Sequence, residues 1–565
     1  MAEAVLHAGA PRLRLARDDI IMRALMCLIG AFLVIALVLP LWSMLSKSLE
    51  DRRGNFIGLS NYFEYFTTPA LAYSIQNSVT VALITTVISV SLAFVFAYAL
   101  TRSCIPCKGL FKAVAMIPIL VPSLLPGIAL VYLFGNQGMI KGLLFGHSIY
   151  GPIGIVIAEV FFTLPHATMI LITALSIADA RLYEAALSMR ASPMRIFFTV
   201  TLPGCRYGLV SAAFVVFTLT ITDFGAPKVI GGNFNVLATD IYKQVIGQQN
   251  FEMGAVVSVV LLIPAVFAFA VDRVVQRRQV ALLSSRAVAL EPTPRRGFDS
   301  AMLAYCLVLC AFLVGMLAVC QYAALVKFYP YDLSWSLRHY AFDRMDGGGW
   351  AAYFNSIEMA SWTGVCGAVM VFIGAYLVEK GRGFHLGRAL FQLLAMMPMA
   401  VPGLVLGLAY IFFFNAPDNP LNGLYHTMAI LVLSTIVHFY TVAHLTAVTA
   451  LKQMDAEFES VASSLKAPFY KTFWRVTVPV CLPAILDIVI YLFVNAMTTV
   501  SAVVFLYGPN TALASVAVLN MDDAGDIAPA AAMGMMIFYT AASVRGLHFL
   551  AAWWLEKRTQ AWRRR

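Results

Sequence analysis

The chain has 565 residues, of which 61% are hydrophobic and only 12% charged, with a formal net charge of +10. Soluble domains carry about 25% charged residues, so lipid, not water, is the solvent for most of this polypeptide. The basic excess lies mainly on loops of one side, the pattern by which membrane proteins retain cations in the cytoplasm, so it calls for no nucleic-acid partner.

In chain order, apolar runs fall near 20–46, 75–101, 110–135, 150–175, 206–230, 253–272, 300–326, 353–379, 388–414, 427–450, 481–507 and 529–554. Each is long enough to cross a hydrocarbon core of about 30 Å, which takes about 20 helical residues. The runs are continuous and do not alternate, so the expected fold is an all-α polytopic membrane protein of about twelve helices and not a barrel. The first run follows an Arg-rich leader (Arg12, Arg14, Arg17, Arg23), is too long for a signal peptide and lacks a small-residue cleavage site; it is expected to stay in the membrane. With a cytoplasmic N-terminus most of the 39 Lys and Arg fall on that side, and an opposite loop holds Asp522, Asp523 and Asp526. Both termini are therefore expected inside. Nine cysteines are scattered, and the Cys104/Cys107 pair has neither a second pair nor a histidine beside it, so neither disulfides nor a zinc site is expected.

The chain is written twice. NSVTVALITTVISVSLAFVFAYAL from Asn77 lies over NSIEMASWTGVCGAVMVFIGAYLV from Asn355, a shift of 278. Pro118, Pro122 and Gly127 lie over Pro398, Pro402 and Gly407, a shift of 280, and the stretch from Asp179 lies without a gap over that from Asp455, a shift of 276. Six spans per copy is an even number, so the copies enter the membrane in the same sense and enclose a path between them. The expected organisation is a first unit over 1–278, a basic cytoplasmic linker over 279–299 and a second unit over 300–565.

Between the fourth and fifth spans of each copy, residues 179–203 and 455–479 alternate small, apolar and polar residues at helical spacing, which predicts paired short helices projecting from the cytoplasmic face. Pro193 opens the second helix in the first copy, and Pro203 and Pro479 are expected to mark re-entry into lipid. At these residues the chain resembles the inner-membrane permeases of binding-protein-dependent ATP-binding-cassette importers, whose coupling loop reads Glu-Ala-Ala, then Gly, then an apolar residue and Leu-Pro. Here the loop reads Glu184-Ala185-Ala186, Phe197 and Leu202-Pro203, with a weaker copy at Ala462, Phe473 and Pro479. The usual glycine is Arg190 in one copy and Lys466 in the other, and the second acidic residue sits one place early at Glu459. The departure puts the usual tight turn in question.

The resemblance implies two MetI-like units, each loop inserting into one of two cytoplasmic ATPase subunits, and a periplasmic solute-binding protein that delivers cargo. Small residues at Ala185, Ala186 and Ala462 would then allow close approach, with Phe197 and Phe473 as apolar anchors. No GxxxxGK[ST] loop occurs in the chain, so no cofactor or metal is expected here and ATP is used by the partners. DFGAPKVIGGNFNVLATDIY from Asp223, and the stretch from Thr498 to Asp526, resemble ferric-iron permeases and, within them, those assigned to 2-aminoethylphosphonate. A ferric-iron or other small-solute permease is the alternative.

Pro118, Pro122, Pro398 and Pro402 remove backbone donors, so the third span of each copy is expected to break near the path. Among intramembrane polar residues, Glu159, Asp223, Asp487, Arg545, His166 and His438 stand out; Asp223 is the candidate for lining the exit or capping a helix end, and the histidines are expected to pack. Neither HExxH nor GxSxG occurs, so no enzymatic chemistry is indicated. A secondary transporter driven by an ion gradient would also have two parallel halves but does not predict the paired cytoplasmic loops.

Overall fold

The computed structural model describes residues 17–281, 290–381, 383–455, 457–465 and 467–559. Arg12 and Arg14, part of the linker and Lys466 lie outside the described residues. Nine helices among the described residues are long and apolar enough to cross a membrane: Arg17–Lys47, Pro69–Arg102, Pro152–Ser176, Phe251–Val275, Arg296–Leu325, Gly349–Lys380, Met428–Lys452, Phe469–Thr498 and Ile527–Trp554. Three bent pairs raise the total to twelve: Lys108–Leu120 with Leu124–Phe134, Pro193–Gly204 with Arg206–Thr222, and His385–Ala400 with Gly403–Phe414. They are numbered here as spans 1 to 12 in chain order.

Spans 3 and 9 turn by 101° and 111°. In span 3, Pro118 sits in a 3₁₀ turn and Pro122 in the break; in span 9, Pro398 and Pro402 take the same places. Without their N–H groups these prolines cannot continue the i to i−4 ladder, so the chain leaves the helix and starts a second one at a new angle. The repeat holds at the level of boundaries, because span 4 (Pro152–Ser176) and span 10 (Met428–Lys452) coincide at the 276 shift.

Two expectations are corrected. Spans 5 and 11 end at Thr222 and Thr498, short of 230 and 507, because Asp223 and Thr499 adopt extended backbone. They also begin earlier, since Pro203 and Pro479 lie inside helical runs. Each proline follows a five-residue π turn, Phe197–Thr201 or Phe473–Thr477. A π turn widens the helix locally and relieves the clash between the proline ring and the carbonyl four residues back.

The two units are interlocked. The second half of span 1 packs along Gly403–Phe414 of the second unit and its first half along span 8, while span 7 packs on Leu124–Phe134 of the first unit and on span 12. Span 1 carries a π turn at Val34–Val38, and the Tyr410 hydroxyl donates to Ala36 O within it at 2.7 Å. Between spans 7 and 8 the chain forms a small antiparallel hairpin, Val326–Phe328 with Asp332–Trp335, which the apolar pattern does not announce.

Candidate functional site

Two places combine exposed chemistry with repeat symmetry, at opposite ends of spans 5 and 11. Span 11 has 30 residues, so about 45 Å separates its ends at 1.5 Å per residue.

At one end lie the predicted loops. The helix Ala180–Ser188 starts at Asp179, whose side chain accepts the Arg181 N–H at 3.1 Å, a side-chain cap of the kind that favours Asp at this position. It ends in a six-to-one closure: Ala191 N–H bonds Ala186 O at 3.0 Å and Arg190 N–H bonds Leu187 O at 2.8 Å. That closure needs a left-handed residue, and Arg190 supplies it with φ of +56°. The tight turn is thus kept without the glycine, at a cost of about 1 kcal/mol for placing a side chain there. In the second unit Ala467 N–H bonds Ala462 O at 2.9 Å, the corresponding six-to-one bond. The backbone of Glu459 lies in the helix Glu457–Ser464; its side chain is not described.

Side-chain directions divide the loop residues into two sets. Glu184, Ala185 and Arg190 are exposed, together with Leu182, Leu187, Met189 and Met194. Ala186 is buried, and Leu202 is half-buried next to exposed Pro203. Phe197 does not point outward: its ring meets Phe94 at 6.0 Å and Tyr98 at 5.9 Å on span 2. Phe473 is buried and meets Phe372 at 6.0 Å and Tyr376 at 4.8 Å on span 8. The phenylalanines correspond at the 276 shift and their partners at 278, so each fastens the loop to its own unit. The outward apolar surface is made by Leu and Met in the first unit and by Phe458, Val461 and Leu465 in the second. Tyr183 completes the first attachment by donating to the Thr201 hydroxyl at 2.9 Å and lying under the Arg102 guanidinium at 5.3 Å. Span 1 reaches the second loop, where Asp18 accepts the Phe469 N–H at 2.8 Å.

At the other end lie three short helices, Gly225–Ile230 and Leu237–Tyr242 from the first unit and Ala514–Asp523 from the second. The repeated Asn-Ser pair at the start of spans 2 and 8 holds them. Ser78 Oγ accepts the Leu237 N–H at 2.8 Å and Ser356 Oγ the Ala514 N–H at 2.7 Å, while Asn77 and Asn355 donate to Asn235 O and Asn510 O. The two units close on each other here through Lys228 Nζ to Asp523 Oδ1 at 2.8 Å and a stack of Tyr242 on Phe505 at 6.2 Å. Lys228 also lies over the Tyr242 ring at 5.0 Å. Burial pushes the Asp522 carboxyl up to about 6, with Asp523 adding to the effect and Lys228 opposing it. Burial likewise raises Asp240 to about 6 against the Ser74 hydroxyl that donates to it.

The helical pair thus carries matched outward loops at one end and an inter-unit contact at the other. Residues 105–280 and 369–552 each match the binding-protein-dependent transport system inner membrane component family. The chain belongs to this family. It is a transport permease subunit of an ATP-binding-cassette importer and not an enzyme, and the family works with an ATPase and a periplasmic binding protein. It is 28% identical over 466 residues to a ferric transport system permease protein FbpB of Actinobacillus pleuropneumoniae, covering 79% of this chain and 67% of that one. It is 26% identical over 513 residues to a putative ferric transport system permease protein FbpB 1 of Haemophilus influenzae, covering 87% and 79%. A molybdenum transport permease ModB of Azotobacter vinelandii is 32% identical over 164 residues, 28% of this chain and 73% of that one. The family segments begin after span 2 and within span 8, so both leave out spans 1 and 7, the two that cross to the opposite unit.

Among the other candidates in this permease, Asp223 caps the start of the short helix by accepting the Ala226 N–H at 2.9 Å. Asp487 pairs with His548 of span 12 at 3.3 Å. His166 packs on Phe162 and His438 on Phe439. Among the described residues no three His, Cys, Asp or Glu side chains group to hold a metal. Sequence reasoning named Asp523 only as an acidic loop residue and did not single out Lys228, Tyr242 or Phe505 within the stretches that follow the fifth span of each copy; their signal is charge and aromatic rings in those stretches.

Proposed function

We propose that this permease imports a small charged solute from periplasm to cytoplasm, with both termini and both loops on the cytoplasmic side and one ATPase on each loop. In this reading the loops, through Leu182, Ala185, Leu187 and Met189 of the first unit and their counterparts around Ala462, sit in grooves of the ATPases. ATP draws the two loops together, spans 5 and 11 carry the motion across the membrane, and the Lys228–Asp523 contact parts to admit cargo. The duplicated loop, closed by the same six-to-one bond and fastened by the same aromatic contacts in each unit, is the observation that carries the reading. ATP must favour one arrangement over the other by several kcal/mol to shift the population decisively.

Two cargo readings have support. Ferric iron is favoured by the two relatives that span most of the chain, both named for ferric transport. For 2-aminoethylphosphonate the support is the resemblance of the stretches from Asp223 to Tyr242 and from Thr498 to Asp526, which here form the inter-unit contact. The test is uptake into proteoliposomes holding the permease with its ATPase and binding protein, with each solute offered separately. Uptake that needs internal ATP supports the reading, and equal uptake by the permease alone refutes it; the solute taken up decides the cargo.

A further inference from the structure

The two units differ at one buried point where the repeat predicts likeness. Glu159 of span 4 is fully buried, and its carboxyl has no hydroxyl, amide or cationic partner among the described residues; the polar group it meets is another carboxyl. The group that acts on it is the Asp223 carboxyl at the end of span 5. Asp223 in turn faces Glu159, the Ser123 hydroxyl in the break of span 3, and the backbone N–H groups of Phe224 and Ala226. Neither carboxyl enters a described ion pair; Lys228, the cation closest in sequence, is engaged by Asp523. At the 276 shift the second unit has Thr435 and Thr499, and Thr435 satisfies its hydroxyl on Leu431 O at 2.7 Å. Even the serine is exchanged: Ser123 abuts Gly225 in the first unit, whereas Gly403 abuts Ser501 in the second.

The same fold therefore closes with neutral threonines at these positions, so packing does not require two acids. Two negative charges side by side, with Glu159 fully buried and Asp223 half-buried, repel strongly, and such a pair persists only with a positive charge between them. We propose that Glu159, Asp223 and Ser123 form a site for one monovalent positive charge, present once per molecule on the first unit's side of the path. Two carboxyls and a hydroxyl offer one charge up to five oxygens, which suits a proton or an ammonium group. The site lies where the broken span meets the end of the span that carries the inter-unit contact, so charge and closure are linked.

The test is the thermal unfolding midpoint of the full-length permease in nanodiscs, independent of cargo and of transport. The folded pair holds a proton that an unfolded carboxyl releases above about pH 4, so stability is lost as pH rises. Between pH 6 and 9 the wild-type midpoint should fall further than that of Glu159→Gln, which carries the neutral form permanently. Asp223→Asn serves as the second variant. At pH 9, a rise of the wild-type midpoint with ammonium chloride, absent with choline chloride of equal ionic strength and absent in Glu159→Gln, identifies ammonium as an occupant; no rise assigns the site to the proton. If wild type and both variants move in parallel in the pH series and the ammonium series alike, the proposal is overturned.

Discussion

The inter-unit contact allows a numerical prediction. The Lys228 side chain is 20% exposed and that of Asp523 42%, so solvent screens the pair and its worth is about 0.5–1 kcal/mol. The stack of Tyr242 on Phe505 adds about 0.5–1.5 kcal/mol beyond area burial. Together they hold the contact shut by about 1–2.5 kcal/mol, or about 5- to 60-fold in population at 1.4 kcal/mol per decade. Lys228→Ala and Asp523→Ala should each raise the open fraction about 2- to 5-fold, and the double variant no further. The swap Lys228→Asp with Asp523→Lys should restore closure, while Tyr242→Ala should open the contact at least as much as either charge variant. Spin labels across the contact, read as a distance distribution in nanodiscs, measure the ratio directly. Additive single variants with no recovery in the swap would show that the ion pair plays no part in closure.

Glu184→Arg should abolish ATP-driven transport while the protein still inserts; Ala185→Trp should do the same, whereas Ala186→Trp, at a buried site, should also lower the unfolding midpoint. Phe473→Ala removes a buried ring with three aromatic neighbours and should cost about 3–5 kcal/mol. Phe197→Ala, half-buried, should cost less, and denaturant unfolding of the two variants compares them. Because Asp522 binds its proton more tightly when folded, at about 6 against the ordinary 3.8, the folded protein has none of this gain above about 6 and gains stability as pH falls from 6 toward 3.8. Asp522→Asn should flatten this dependence of the unfolding midpoint.

Much of this was legible in the sequence because lipid imposes a simple rule on long apolar runs, and because two copies in one chain confirm each other. The breaks at Pro122 and Pro402 follow from proline chemistry alone. The direction of Phe197 was not legible: an apolar residue beside a docking loop reads the same whether it faces a partner or its own unit, and only span 2 decides. Arg190 misled in the opposite sense, since a backbone that is closed by two hydrogen bonds holds a left-handed residue that local preference disfavours. The crossing of spans 1 and 7 had no local signal, because a helix apolar on all sides does not specify its neighbour. The contact of Lys228 with Asp523 joins residues far apart in the chain and absent from the repeat.

The exchange of first spans has a consequence for biosynthesis. Span 1 leaves the ribosome first, yet the helix Gly403–Phe414 that it lies against is made only after the entire first unit and the linker. Until then its sides must be shielded by lipid or by an insertion chaperone, and a truncated translation product would hold a helix with no seat. A chain severed at the linker would be expected to recover function only when its two fragments are produced together in one cell.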